Sequence, residues 1–170
     1  METFKEQIVR KLPDKNDQMK KTLIILATAV VILVCFILLM YTPVGLMGVV
    51  LAGLAAYGGY YLITSLLVEY EYILTNNEID IDKISAQRSR KRLATVDLNV
   101  ATDFGEADDS LRVGDNETLI KADANDPEQK NYFIRLNHST LGDTVLLFSP
   151  SEEMLELVKQ NLPRKLRFGR

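Results

Sequence analysis

A run of 47 residues without a charged side chain, from residue 22 to residue 68, dominates the hydropathy pattern of this chain. A bilayer core is crossed by roughly 20 consecutive apolar residues, so the run is long enough to cross twice. Proline fits poorly inside a helix and pushes the residue before it out of the α region, which makes Thr42-Pro43 the turn. The pattern predicts a transmembrane hairpin of two helices, 22–41 and 44–68. It rules out a wholly cytosolic enzyme and a secreted disulfide scaffold.

Positive charges flank this hairpin on both sides and are missing from its turn. Cationic loops stay on the cytoplasmic side of a membrane, so we expect a multi-pass protein of the cell membrane with both termini cytoplasmic. A signal peptide is the competing interpretation, and it fails because the apolar stretch is too long and lacks a small-residue cleavage site. The cations are Lys5, Arg10, Lys11, Lys15, Lys20 and Lys21 before the hairpin, and Lys83, Arg88, Arg90, Lys91 and Arg92 after it.

A stripe of small residues lies on one face of the second helix, because its members are three and four positions apart. Small side chains let helix backbones approach closely, which drives association where lipid and side chains are equally apolar. We expect the stripe to contact the first helix, with contact to a second copy of the chain as the alternative. Cys35, the only cysteine, is expected to be an apolar filler in lipid. The stripe consists of Gly45, Gly48, Ala52, Ala55 and Gly59.

The N-terminal segment, residues 1–21, contains a short amphipathic pattern. Phe4, Ile8 and Leu12 are four positions apart, with cations elsewhere on the helical wheel. This spacing predicts a short helix. Such a helix could lie in the headgroup layer or dock on the domain that follows the hairpin, and the sequence leaves both open.

Alternating apolar and polar residues follow the hairpin and predict antiparallel strands. Residues 69–75 and 78–84 flank Asn76-Asn77, a loop that tolerates positive φ and closes tight hairpins. Further strands are predicted over residues 93–100, 118–122, 132–137 and 143–148, whereas residues 101–117 have no convincing period and are interpreted as a long loop.

The first of these hairpins places Glu71 across from Asp82, on the face opposite the core. Two like charges in a cross-strand pair are unfavourable, so we expect a cation beside them. The candidates are Arg88, Arg90 and Arg92, which follow closely in the sequence.

The pattern becomes helical near the C-terminus. Ser149-Pro150-Ser151-Glu152 offers a capping serine, a proline at the first helical position and a glutamate at the third, and the predicted helix ends at Pro163. Residues 69–162 are therefore predicted to form an α+β domain of about six or seven antiparallel strands with a C-terminal helix, followed by a basic tail at 163–170.

The segment EYILTNNEIDI, at residues 71–81 directly after a membrane hairpin, resembles the start of bacterial PH-like membrane proteins of unknown function. The capped helix from Ser151 resembles the helix that closes their sheet or barrel. The resemblance implies a fold and a topology, and it implies no activity. Phosphoinositide-binding PH domains carry a basic loop between their first two strands, whereas this loop is Asn76-Asn77 followed by Glu78, so we expect no phosphoinositide binding.

Side chains suited to catalysis or to metal binding are few. His138, with Ser139 beside it, is the only histidine, and catalysis there would need a positioned partner. Acids in the predicted loop could hold a hard cation, although a hydrated acidic loop is the favoured interpretation. We predict no catalytic residue, no metal site and no cofactor. The acids are Asp103, Glu106, Asp108, Asp109 and Asp115.

The charges of the predicted domain are segregated along the chain. Residues 83–96 hold five cations and no acid, residues 97–128 hold ten acids and two cations, and residues 159–170 hold five cations and no acid. A net-acidic domain of this kind is unlike a basic nucleic-acid binder. The cations could contact anionic lipid or a protein partner, or they could neutralise acids of the sheet. The candidates for lipid or partner contact are Arg88, Arg90, Lys91, Arg92, Arg164, Lys165 and Arg167.

The leading functional hypothesis is a membrane-tethered PH-like interaction or scaffold module at the cytoplasmic face, which binds a protein partner or itself. Tethering raises local concentration and fixes orientation. The alternative is a small accessory subunit of a membrane enzyme or transport complex, in which the hairpin supplies the contacts.

Overall fold

The chain of 170 residues forms two compact units. A computed structural model describes residues 3–41, 45–108 and 111–167. The helix unit is Pro13–Leu67, and the sheet unit combines Met1–Leu12 with Val68–Arg170. The sheet unit is therefore discontinuous in sequence, because the apolar hairpin is inserted after its first strand.

The helix unit consists of α1 (Lys15–Tyr41) and α2 (Gly45–Ser65). The helix α1 begins before the apolar run, because the Asp14 carboxylate accepts a hydrogen bond from the Asp17 N–H at 2.7 Å and caps it. By length and composition, both helices could cross a membrane, and most of their apolar side chains are exposed. The predicted turn at Thr42-Pro43 lies outside the described residues.

Two glycines of the small-residue stripe lie against α1. A Cβ added at Gly48 would stand 2.9 Å from the backbone oxygen of Cys35, and one added at Gly59 would stand 2.5 Å from Oγ1 of Thr28. Cys35 is buried at this contact instead of facing lipid. Ala52 and Ala55 are partly buried, whereas the packing of Gly45 lies outside the described residues.

Replacing Gly48 with leucine is expected to separate the helices locally, because the new side chain would meet backbone that cannot move aside. The reaction of the Cys35 thiol with a membrane-permeant maleimide, measured in detergent micelles, should then accelerate several-fold. Gly53→Leu is the matched control, since nothing lies within 4 Å of a Cβ at Gly53, and its rate should stay that of the parent. Equal rates in the two variants would contradict the contact.

The sheet unit contains two four-stranded sheets. The first has the order β1-β2-β3-β4 and is antiparallel throughout. Its strands are β1 (Phe4–Arg10), β2 (Val68–Thr75), β3 (Glu78–Ser85) and β4 (Ser89–Asp97). The second has the order β5-β7-β8-β6 and comprises β5 (Ala101–Glu106), β6 (Thr118–Ala122), β7 (Tyr132–His138) and β8 (Gly142–Phe148). A 3₁₀ turn at Leu98–Val100 joins the sheets, and α3 (Glu152–Asn161) and α4 (Arg164–Arg167) follow them.

The helix predicted for the N-terminal segment is wrong, since Phe4–Arg10 is the strand β1. Its side chains alternate, with Gln7 facing the domain and Ile8 exposed. The Gln7 side chain donates to the carbonyl of Ser149 at 3.2 Å and accepts from the N–H of Ser151 at 2.8 Å. The pairing with β2 and these hydrogen bonds stabilise a strand here, whereas the four-residue spacing of apolar residues is only a weak helix signal.

The described strands number eight instead of six or seven, and β6 pairs with β8 in parallel. The additional strands are β1 and β5, which was predicted as loop. Both are edge strands, and each buries only one side chain, so the apolar alternation that marks a strand in the sequence is weak in them. At Gly105 a Cβ would stand 3.0 Å from the Phe133 ring, so glycine permits the close approach of β5 to β7. The predicted strand at 93–100 begins earlier, at Ser89, and gives way to the 3₁₀ turn.

One hydrophobic core lies between the sheets and α3. Tyr72 is fully buried, and its hydroxyl donates to the carbonyl of Ala122 and accepts from the N–H of Ser149 at 3.2 Å. Burial raises the pKa of Tyr72, so the group stays a neutral donor.

Ser151 caps α3 by accepting from the N–H of Met154 at 3.3 Å. The helix therefore begins at Glu152, and Pro150 precedes the cap instead of occupying the predicted first helical position. The sheet unit therefore has an α+β fold, as predicted.

Candidate functional site

A paired row of acids and arginines lies on the outer face of the first sheet. Glu71 stands opposite Asp82, as predicted, and both are buried. The Arg90 guanidinium contacts a Glu71 carboxylate oxygen at 2.7 Å. Arg92 pairs with Asp82 and contacts Asp80 at 2.6 Å. The predicted cation beside the two acids is thus confirmed, and Arg90 and Arg92 provide it.

The environment of Glu71 disfavours its charge. Burial is the main cause that raises the pKa of this carboxyl, and the neighbouring Glu6 carboxyl raises it further. The Arg90 guanidinium acts in the opposite direction by stabilising the carboxylate. Among the groups that shift this pKa, Arg90 is the one that favours the ionised form of Glu71.

Strand register places the β3–β4 turn at the end of the first sheet from which the chain leaves for the hairpin. Val68, the first residue after the helix unit, pairs with Ser85, and Arg10 pairs with Glu69. Ser85 in turn pairs with Ser89. We call the cationic residues at this end of the sheet the basic end, and they are Arg10, Lys11, Lys83, Arg88 and Lys91.

Three members of the basic end are not neutralised inside the protein. Arg10, Lys83 and Lys91 form no ion pair in the described parts of the chain. Lys83 stands directly opposite Lys91 in the ladder. Like charges in this position are destabilising, so an anion from outside the chain would be favourable there.

The turn at the basic end is strained. Ala86 and Gln87 have φ of 54° and 56°, a left-handed conformation that residues with a Cβ adopt at a cost. Strain of this kind concentrates at functional sites. Gln87 is held by a hydrogen bond from its side chain to Glu69 at 3.3 Å.

The basic residues of the tail lie at the other end of the sheet. Asn77, in the β2–β3 turn, donates to the carbonyl of Asn161 at 3.4 Å, which places the C-terminus of α3 there. The structure therefore does not bring the two predicted groups of cations together. The tail group is Arg164, Lys165 and Arg167, all in α4 and all exposed.

The side chain of His138 has a structural role. Its Nε2 is 3.1 Å from the carbonyl of Thr95 and can donate to it, while Nδ1 accepts from the N–H groups of Thr140 and Leu141 at 3.2 and 3.3 Å. Both ring nitrogens thus contact backbone and link β7 to β4. The open groove beside the ring has a volume of about 540 Å³, and Ser139 lies at its rim.

The acids of the predicted loop are dispersed. Glu106, in β5, pairs with Lys130 at 3.0 Å, and Asp109 lies outside the described residues. A second groove, of about 560 Å³, contains the buried Asp123, whose nearest cation is Lys121 at 4.0 Å. Within the described ranges, no three His, Cys, Asp or Glu side chains are arranged to hold a metal ion.

Two sheets around one core, closed by a C-terminal helix, define a protein of the PH-like class. A family model described as a bacterial PH-like domain (DUF6106) matches residues 1–168. The chain belongs to this family. The match includes the hairpin and the strand before it, and PH-like domains are generally non-catalytic. Searches of curated proteins and of solved structures gave no match.

Proposed function

We propose that this protein is a membrane-tethered PH-like interaction module at the cytoplasmic face, which binds a protein partner or a second copy of itself and catalyses no reaction. The observation that carries the proposal is the seven-residue ladder between β1 and β2. These two strands stand before and after the apolar hairpin, so a folded sheet unit requires both ends of the hairpin on the same side of the bilayer.

The flanking charges support the cytoplasmic side, and the lengths of the helices support a hairpin of two spans. The cations that flank the hairpin favour it by the positive-inside rule. The even number of crossings that the β1–β2 ladder requires fits a hairpin of two spans, each near the roughly 20 residues needed.

The side chains that could have served in catalysis are already engaged within the protein, which supports binding without catalysis. The His138 ring is engaged by backbone at both nitrogens, and the arginine-acid row is held by ion pairs within the first sheet. The mechanism is positional, because a tether raises the effective concentration of a weak binding surface and fixes its orientation.

Cysteine labelling of intact cells tests the topology, in a Cys35→Ala background. A cysteine introduced by Pro43→Cys should react with a membrane-impermeant maleimide, whereas one introduced by Glu128→Cys, at an exposed position of the sheet unit, should react only after permeabilisation. The reverse pattern would place the sheet unit outside. Protection of both positions would contradict a hairpin that crosses the membrane.

Crosslinking in native membranes tests the interaction. A photo-activatable maleimide attached through Glu128→Cys should give a discrete product that contains this chain and one partner or a second copy. The control is the same probe attached through Ser139→Cys, on the β7–β8 turn. A product formed from only one of the two positions shows that the interaction involves a particular surface of the sheet unit. A chain that remains monomeric with both probes would exclude an interaction module.

A further inference from the structure

We propose that the basic end is a lipid-contacting surface that binds the anionic headgroups of the membrane crossed by the hairpin. This inference rests on the proposed function and names the ligand of one end of the tethered domain. It differs from the expectation drawn from the sequence, because Arg90 and Arg92 are occupied by acids of the sheet and the tail cations lie at the far end.

The covalent chain limits how far this end can be from the bilayer. Only Leu66 and Leu67 separate the last residue of α2 from Val68, the first residue of β2. An extended chain spans at most ~3.6 Å per residue, so Val68 lies within about 11 Å of Ser65 by that limit. The strand β2 is eight residues long, and at ~3.3 Å per residue its other end lies roughly 23 Å further along.

The charges at this end fit an anionic surface better than a single small ligand. Lys83 and Lys91 oppose each other in the ladder, and Arg10, two strands away and opposite Glu69, forms no ion pair among the described residues. These cations are spread along a turn and three strand ends, so they form no cradle for one phosphate. A sheet of headgroups supplies several anions at variable positions, which is the arrangement that such a distribution can contact.

The strained turn contributes a second observation. Ala86 and Gln87 in left-handed conformations hold a tight, narrow tip between Ser85 and Ser89, and Arg88 is exposed on it. An Asn-Gly pair would adopt this turn without strain. This turn therefore holds Arg88 at the tip, next to Lys83 and Lys91 in the ladder.

The test uses the full-length chain, with Cys35→Ala, reconstituted in vesicles. Ser89→Cys places an environment-sensitive fluorophore on the basic end, and Thr75→Cys places the same fluorophore at the far end of β2. In vesicles of phosphatidylcholine with phosphatidylglycerol, emission from Ser89→Cys should shift to shorter wavelength relative to pure phosphatidylcholine. Emission from Thr75→Cys should be the same in both.

Salt and charge variants make the test specific. Raising salt from 0.15 M to 1 M shortens the screening length from ~8 Å to ~3 Å, and should abolish the lipid-dependent shift. The double variant Lys83→Gln/Lys91→Gln should lose at least half of the shift. The matched variant Lys159→Gln/Lys165→Gln, which removes two lysines at the other end, should keep it.

Three outcomes would overturn the inference. They are a Ser89 probe that does not distinguish the two lipid compositions, a shift that survives 1 M salt, and equal shifts in the two double lysine variants. These measurements use pure vesicles, so they stand or fall separately from the labelling in cells.

Discussion

Deletion of residues 1–12 is expected to unfold the sheet unit, although 55 residues of the helix unit separate this segment from the rest of the sheet unit. The deletion removes all seven pairs of the β1–β2 ladder, the buried Val9, and both hydrogen bonds of the Gln7 side chain to the segment before α3. It also leaves the edge of β2 unpaired. Hydrogen exchange of the full chain in detergent should show protection lost across both sheets, while α1 and α2 stay protected.

A matched pair of substitutions isolates the strand from the deletion itself. Val9 is 5% exposed and the adjacent Ile8 is 56% exposed. Val9→Ser should lower the free energy of unfolding by ~2–3 kcal/mol through the lost burial and cavity, whereas Ile8→Ser should change it by less than ~0.5 kcal/mol. Equal effects, or normal protection in the deleted chain, would show that β1 is dispensable.

The second large effect is expected from the double variant Arg90→Gln/Arg92→Gln. Glu71 and Asp82 are 1% and 3% exposed and stand opposite each other. Removing one partner of a buried ion pair costs ~3–5 kcal/mol, and because both arginines are about half exposed we expect about 3 kcal/mol for the pair. Urea unfolding of the full chain in detergent, followed at the sheet unit, measures this loss.

Two control variants and the pH dependence of the stability loss test whether the loss comes from the unpaired acids. Lys91→Gln should be close to neutral, because Lys91 lies between the two arginines and forms no ion pair with a described residue. Adding Glu71→Gln and Asp82→Asn to the double variant should restore most of the loss. Without Arg90 the folded-state pKa of Glu71 rises further above its ordinary value, so the deficit is present above that folded pKa and shrinks as pH falls towards 4.5. A deficit that grows on acidification would contradict the argument.

The first sheet shows what local pattern can and cannot predict. The register of β2 and β3 followed from the Asn76-Asn77 turn and two-residue alternation, and the arginines beside Glu71 and Asp82 followed from that register. The strand β1 was missed because its partner lies beyond the hairpin and its outward residues happen to be spaced like a helix face. Distant pairing leaves no local signal.

The basic end was only partly predictable for a similar reason. Lys91 and Arg88 stood out as part of a cationic run, but the run also contained the two arginines that the sheet uses internally. Arg10 and Lys83 join the same end only through the ladder, and no pattern along the chain marks which end of a strand they occupy. Charge runs indicate that a surface exists, and strand register decides where it lies.

The ladder that spans the hairpin also determines the order in which the protein can be made. Under the proposed topology, β1 is synthesised before the hairpin and has no partner until the 47 uncharged residues have been synthesised and inserted. A copy in which only one helix crosses the bilayer has β1 and β2 on opposite sides and cannot complete the first sheet. Its β2 edge stays open to proteases. Under the proposed topology, insertion of both helices is therefore a precondition for completing the first sheet.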